Sequence, residues 1–123
     1  MSIQIIRLKS GEDVVGNITK NSDRSVTVHD PMAISLETIN KKIVLLMENW
    51  LPTQILKKNT VKIKSTDILT YMAPNPEFVE YYTNTVSVLK TYKKTKEAVD
   101  ALSQEDYDMV MEAIESISNQ TIH

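Results

Sequence analysis

The chain contains no cysteine, so a disulfide framework, a thiol nucleophile and a thiolate metal site are all excluded. Its two histidines are too few for a multi-histidine metal centre. Glycine is equally scarce, at Gly11 and Gly16 alone, which leaves no phosphate-cradling loop and no dinucleotide fingerprint. No Gly-x-Ser-x-Gly elbow presents a serine nucleophile, and His29 has no serine partner at a recognisable spacing. No apolar run approaches the roughly 18 residues that cross a bilayer. Met1-Ser2-Ile3-Gln4 also lacks the cationic and apolar regions of a secretion signal. The expectation is a soluble cytoplasmic protein that is not an enzyme and carries no cofactor or metal.

What is present is ordinary in amount but uneven in placement. A chain of 123 residues, 41% hydrophobic and 24% charged, has the composition of a globular protein rather than of a disordered or fibrous one. Net charge is −2, yet residues 1–96 hold all 14 Lys and Arg against nine acids. Residues 97–123 hold the other seven acids (Glu97, Asp100, Glu105, Asp106, Asp108, Glu112, Glu115) and no cation. A mildly basic body with an acidic tail suits either an anionic partner for the body or a merely solvated surface.

The first seventy residues have the alternation of strands. Ile3, Ile5, Ile6 and Leu8 precede a turn at Ser10-Gly11, and Val14, Gly16 and Ile18 alternate after it. A turn cluster at residues 21–25 leads to Val26 and Val28. Asp30-Pro31 interrupts, and Met32, Ile34 and Leu36 continue. Proline has no N–H for a ladder, so Pro31 predicts an edge, a bulge or a sharp bend. After Asn40-Lys41-Lys42, the run Ile43-Val44-Leu45-Leu46-Met47 is apolar on both faces, as in a strand covered on both sides. Val61, Ile63, Ile68, Leu69 and Tyr71 make a final strand. Five short strands joined by short turns predict a small, strongly bent antiparallel sheet or barrel.

At Asn75-Pro76 the pattern becomes helical: Asn75 can cap and Pro76 suits the first helical position. Val79, Tyr82, Val86 and Leu89 follow at helical spacing, which leaves Tyr81 to face outward. Ser103-Gln104-Glu105-Asp106 is a capping-box pattern for a second helix, with Tyr107, Val110, Met111, Ile114 and Ile117 as its stripe.

Few residues suggest chemistry. His29 beside Asp30 could form an acid–base pair or be a surface residue at a strand end. His123 is terminal. Glu12 and Asp13 are adjacent in a strand pattern and would point to opposite faces, which argues against a shared cation site. Trp50 could stack on a nucleobase, or pack at the end of the apolar strand or in a subunit contact.

The segment Ile6-Arg7-Leu8-Lys9-Ser10-Gly11-Glu12-Asp13-Val14-Val15-Gly16-Asn17-Ile18 resembles the first half of the Sm motif of Sm, LSm and Hfq-type proteins. Val61-Lys62-Ile63-Lys64-Ser65-Thr66-Asp67-Ile68-Leu69 resembles the second half, with Lys64-Ser65 where Sm proteins carry Arg-Gly. The resemblance spans residues 3–71. Trp50-Leu51-Pro52 and the Asn-Pro start of the helix make the chain look like stand-alone Sm-like proteins encoded by bacteriophages. It departs from the family in lacking the Asp-x-x-Met-Asn base-holding signature: Asp23 lies one position away and Ser25-Val26 replaces Met-Asn. It also lacks the helix before the first strand and the Tyr-Lys-His element of Hfq.

The resemblance implies a mainly β fold, an Sm-like five-stranded, strongly bent antiparallel barrel over residues 1–73 with a C-terminal helical extension over 74–123. It implies a homo-oligomeric ring of five to seven copies that binds or chaperones single-stranded RNA. In such a ring the fourth strand of one subunit pairs with the fifth of the next. The implied RNA-binding residues are Asp23, Arg24, Lys64 and Ser65, and the implied structural residues are Gly11, Gly16, Trp50 and Pro52. The alternative is a ring that uses the fold for assembly alone, since fold does not dictate function.

Overall fold

The computed structural model describes residues 2–100. The chain divides into two compact units, Met1–Glu80 and a second that begins at Tyr81. The first unit is mainly β, a strongly bent antiparallel sheet: β1 (Ser2–Leu8), β2 (Asp13–Lys20), β3 (Ser25–Ile39), β4 (Lys42–Asn49), β5 (Thr60–Lys64) and β6 (Ile68–Met72). A helix, α1 (Pro76–Asp100), follows.

Tight turns make a meander of the first four strands. Gly11 supplies φ +94° in the first turn, with no atom within 4 Å of where a Cβ would stand, so conformation rather than space requires glycine there. Asn40 and Lys41, at φ 51° and 64°, form the two-residue turn that brings Ile39 opposite Lys42. The strand order is β4-β3-β2-β1-β6, with β5 also paired to β3.

The long strand β3 changes partner half-way. Residues 25–29 pair β5 and residues 32–39 pair β4. The change falls at Asp30-Pro31, where Asp30 has φ +53° and Pro31 is buried without an N–H to leave unpaired. Between the pairs Val15–Met32 and Asn17–His29 the two residues Asp30 and Pro31 oppose the single Gly16, so β3 carries a bulge there. A Cβ on Gly16 would stand 2.4 Å from Val28 Cγ1 and 3.2 Å from the His29 carbonyl oxygen. Hydrogen alone lets the two strands close on each other at the bend.

The register sets the core. Ile6 lies opposite Val14, Ile18 opposite Val28, Val28 opposite Val61, and Val26 opposite Ile63. These residues share one face, and Ile6, Val14, Val26 and Val28 are completely buried there with Leu8, Ile18 and Ile68. Each such side chain contributes about 1.5–3 kcal/mol through burial. Trp50, Val61 and Ile63 pack on the same cluster.

Two expectations are modified. The alternation over residues 61–71 is not one strand but β5 and β6, separated by the 3-10 turn Ser65–Asp67. That turn carries the chain from β3 to β1, tied at one end by Ser65 N–H to the Arg24 carbonyl (3.0 Å) and at the other by Lys9 N–H to the Asp67 carbonyl (2.9 Å). The apolar run of β4 is also not covered on both faces among the described residues. Ile43 is 76% exposed and Leu46 39%, because the β3–β4 hairpin runs past the end of β2, whose last contact on this side is Asp13 with Ile34.

The helix begins as its sequence predicts. Asn75 Oδ1 accepts the Phe78 N–H at 2.8 Å and the Asn75 carbonyl accepts the Val79 N–H at 3.1 Å. Tyr82 is buried and Tyr81 exposed. The threonines of α1 return their hydroxyls to carbonyls four residues back, Thr85 to Tyr81, Thr91 to Ser87 and Thr95 to Thr91. The expected second helix from Ser103, with Tyr107, Val110, Met111, Ile114, Ile117 and the acids of residues 105–115, lies outside the described residues, as does His123. Among the described residues no helix is long and apolar enough to cross a membrane.

Candidate functional site

The turn before β3 and the turn after β5 meet because the strands they border are paired. Ser25 stands opposite Lys64, and Ser65 N–H donates to the Arg24 carbonyl. Asp23, Arg24, Lys64 and Ser65 therefore come together, although 40 residues separate the two pairs in the chain. Arg24 is held at φ +62°, in the left-handed region that a long side chain seldom occupies. Its side chain and that of Lys64 are exposed.

The site contains two residues that the motif reading missed. Lys62 precedes Lys64 by two positions, so both side chains leave the same outer face of β5, their Cα atoms about 6.6 Å apart along the strand. Lys62 forms an ion pair with Asp23, and both side chains are more than half exposed. Asn21 is the second. Its Nδ2 donates to the Ser25 hydroxyl (3.0 Å) and the Thr27 hydroxyl (2.9 Å), and Ser25 donates its own hydroxyl to Asp23. The Lys62 ammonium and the Ser25 hydroxyl hold the Asp23 carboxyl at about 2, below the ordinary 3.8. The period-two spacing of Lys62 and Lys64 was the available signal for the first. Nothing local marked Asn21.

The remaining polar residues have structural partners. Glu12 and Asp13 point to different groups: Trp50 Nε1 donates to Glu12 at 2.9 Å, and Arg7 grips Asp13 through two nitrogens at 2.8 and 3.0 Å. The Asp13 carboxylate raises the Arg7 pKa further. Trp50 thus packs at the end of the apolar strand with its N–H satisfied. The Pro52 carbonyl accepts the Ile55 N–H and turns the loop between β4 and β5. His29 is not at a strand end but inside β3, half-buried, with Nδ1 3.4 Å from the Thr60 hydroxyl. Among the described residues no group of His, Asp and Glu could hold a metal ion.

A second feature lies on the other face of the sheet. An open apolar groove of about 510 Å³ runs between Leu36 and Leu45 of the hairpin and Ile5, Met72, Pro74 and Phe78. The outer edges of β4 and β6, the two ends of the strand order, pair with no other strand among the described residues.

No family model matches the chain. No curated protein matches it either. Among solved structures it is similar to a heptameric archaeal Sm protein at 8% identity and a TM-score of 0.36, over 59% of this chain and 85% of that one.

Proposed function

We propose that the chain assembles with copies of itself into an Sm-like ring, and that the ring binds single-stranded RNA where the turn of Asp23 and Arg24 meets that of Lys64 and Ser65. The observation that carries assembly is the bare β3–β4 hairpin. Leu36 is 71% and Ile43 76% exposed on one face of it, and the adjoining β4 edge pairs with no strand among the described residues. Exposed apolar side chains beside a free strand edge are what a monomer avoids and an interface uses. Adding β4 of one copy to β6 of the next is a head-to-tail contact, which closes into a ring when its rotation permits. The groove beside Phe78 gives the hairpin of a neighbour an apolar surface to cover.

RNA binding rests on the convergent cations of the two turns. Lysine offers phosphate a point charge without the planar fork of arginine, so Lys64 supports binding with little sequence preference. Ring repetition would multiply one weak cluster by the number of copies. The competing reading is a ring used for assembly alone. It is favoured by Asp23, which already neutralises Lys62 and brings negative charge into the cluster.

Mass in solution at micromolar concentration tests the first half, and a titration with labelled oligo-U and oligo-A at several salt concentrations tests the second. A multiple of the chain mass with affinity that falls as salt rises is the expected result. A monomer overturns the ring. A ring that ignores both oligonucleotides at low salt leaves the assembly reading.

A further inference from the structure

Asp23 has the wrong charge to receive a phosphate, yet its position is built rather than incidental. Asn21 holds the Ser25 hydroxyl, Ser25 is 7% exposed and donates to Asp23, and the other carboxylate oxygen takes the Lys62 ammonium. Four cations border the two turns: Lys20, whose ammonium lies 4.7 Å over the Tyr71 ring, and Arg24, Lys62 and Lys64. Arg24 and Lys64 have no carboxylate partner among the described residues. Lys62 is the one already neutralised within the chain. The nearest other acid in sequence, Asp67, sits exposed at the far end of the 3-10 turn.

We propose that Asp23 is an internal competitor for phosphate, a carboxylate that occupies Lys62 and must be displaced before a nucleic-acid backbone can use the full cation row of Arg24, Lys62 and Lys64. This rests on the nucleic-acid reading of the site and reverses the role of one of its residues. Asp23 weakens binding instead of contributing to it. A carboxylate and a phosphate diester each carry one negative charge, and both accept hydrogen bonds from an ammonium group, so the two compete for Lys62 directly. Occupation by Asp23 removes one phosphate contact from the count that sets affinity and salt dependence. It also places a like charge beside the incoming backbone. Because Lys62 and Lys64 stand two residues apart on one strand face, freeing Lys62 extends an existing contact rather than opening a separate one.

The test is a cycle on the full chain with Asp23→Asn, Lys62→Gln and the double variant, titrated with labelled oligo-U and oligo-A. Asparagine keeps an acceptor for the Ser25 hydroxyl, and thermal melting with solution mass confirms that each variant is folded and assembled as the parent is. Should Asn not fold, Asp23→Ser replaces it. The expected result is an affinity gain of about three- to tenfold for Asp23→Asn at low salt, equal for both oligonucleotides, with a salt slope steeper by about 0.7. Lys62→Gln alone should change little, and in the double variant it should cancel the gain. A loss of affinity in Asp23→Asn overturns the proposal, since Asp23 is then a contact residue. A gain that survives Lys62→Gln overturns it as well, because net charge alone then accounts for the effect. If parent and Asp23→Asn both fail to bind while folded and assembled, the nucleic-acid reading fails and takes the proposal with it.

Discussion

One face of the β sheet has two ends that differ completely in cover. Val15 and Met32 are paired across β2 and β3 and are essentially sealed, at 0% and 2% exposure. Four residues further along β3 on the same face, Leu36 stands opposite Leu45 and is open to solvent, and Ile43 of β4 follows it. Composition does not distinguish the two ends, since both are rows of aliphatic side chains. Sheet width does: β1, β2 and β6 flank the covered end, while the open end is a two-stranded ribbon. A ribbon of two strands is marginal by itself. Apolar patterning therefore records where a surface is to be covered, and leaves open whether the chain or a partner covers it.

The largest expected contrast comes from truncation at the two ends of this pattern. Ile6→Ala, in the sealed core, should cost about 2–5 kcal/mol. Leu36→Ala on the ribbon should cost less than about 0.5 kcal/mol in the dissociated chain, as exposed positions do. Denaturant unfolding of both variants under dissociating conditions measures the difference, and equal losses would mean that the ribbon is covered within the chain. Next in size is Gly16→Val at the bend between the two regions. Its Cβ meets fully buried Val28 and the backbone of His29, so overpacking should cost about 1–3 kcal/mol. A melting point equal to the parent's would mean that the strands separate freely at the bulge.

A charge placed on the ribbon sharpens the comparison without touching the core. Ile43→Asp should reduce the mass in solution towards one chain while leaving far-ultraviolet circular dichroism unchanged. Retention of the parental mass would move the interface elsewhere. The smallest effect is one of pH. The Asp23 carboxyl is held at about 2, below its ordinary 3.8. Its pairing therefore stabilises the fold above the ordinary value and is lost as pH falls from there through about 2. Both partners are exposed, so the change is slight. Carboxyl chemical shifts followed by NMR should show the low titration midpoint, and Lys62→Gln should raise it.

Much of the strand pattern was legible because period-two alternation and polar turns are local signals. The irregularity at Pro31 could be read for the same reason, since proline states a backbone requirement. The split between β5 and β6 could not. Val61, Ile63 and Ile68 keep facing inward on both sides of the 3-10 turn, so apolar pattern does not reveal the change of partner strand. The meeting of Arg24 with Ser65 came from motif halves rather than from chemistry. The link from Asp23 to Lys62 was hidden because it depends on a register between strands distant in sequence, and an ion pair has no periodicity.

The pairing of β1 with β6 has a kinetic consequence. Every contact within the meander β1–β4 joins neighbours in the chain, whereas Leu8 reaches Ile68 only after about sixty residues have been ordered. The entropy of closing that loop falls on a single late event, the docking of β6 on β1. Contacts made only when this seam closes hold the folded state shut without hastening its formation. Ile68→Val should therefore speed unfolding and leave the refolding rate nearly unchanged, whereas Val14→Ala in the meander should slow refolding. Stopped-flow measurements on the two variants would show whether the seam is the last part of the sheet to close and the first to open.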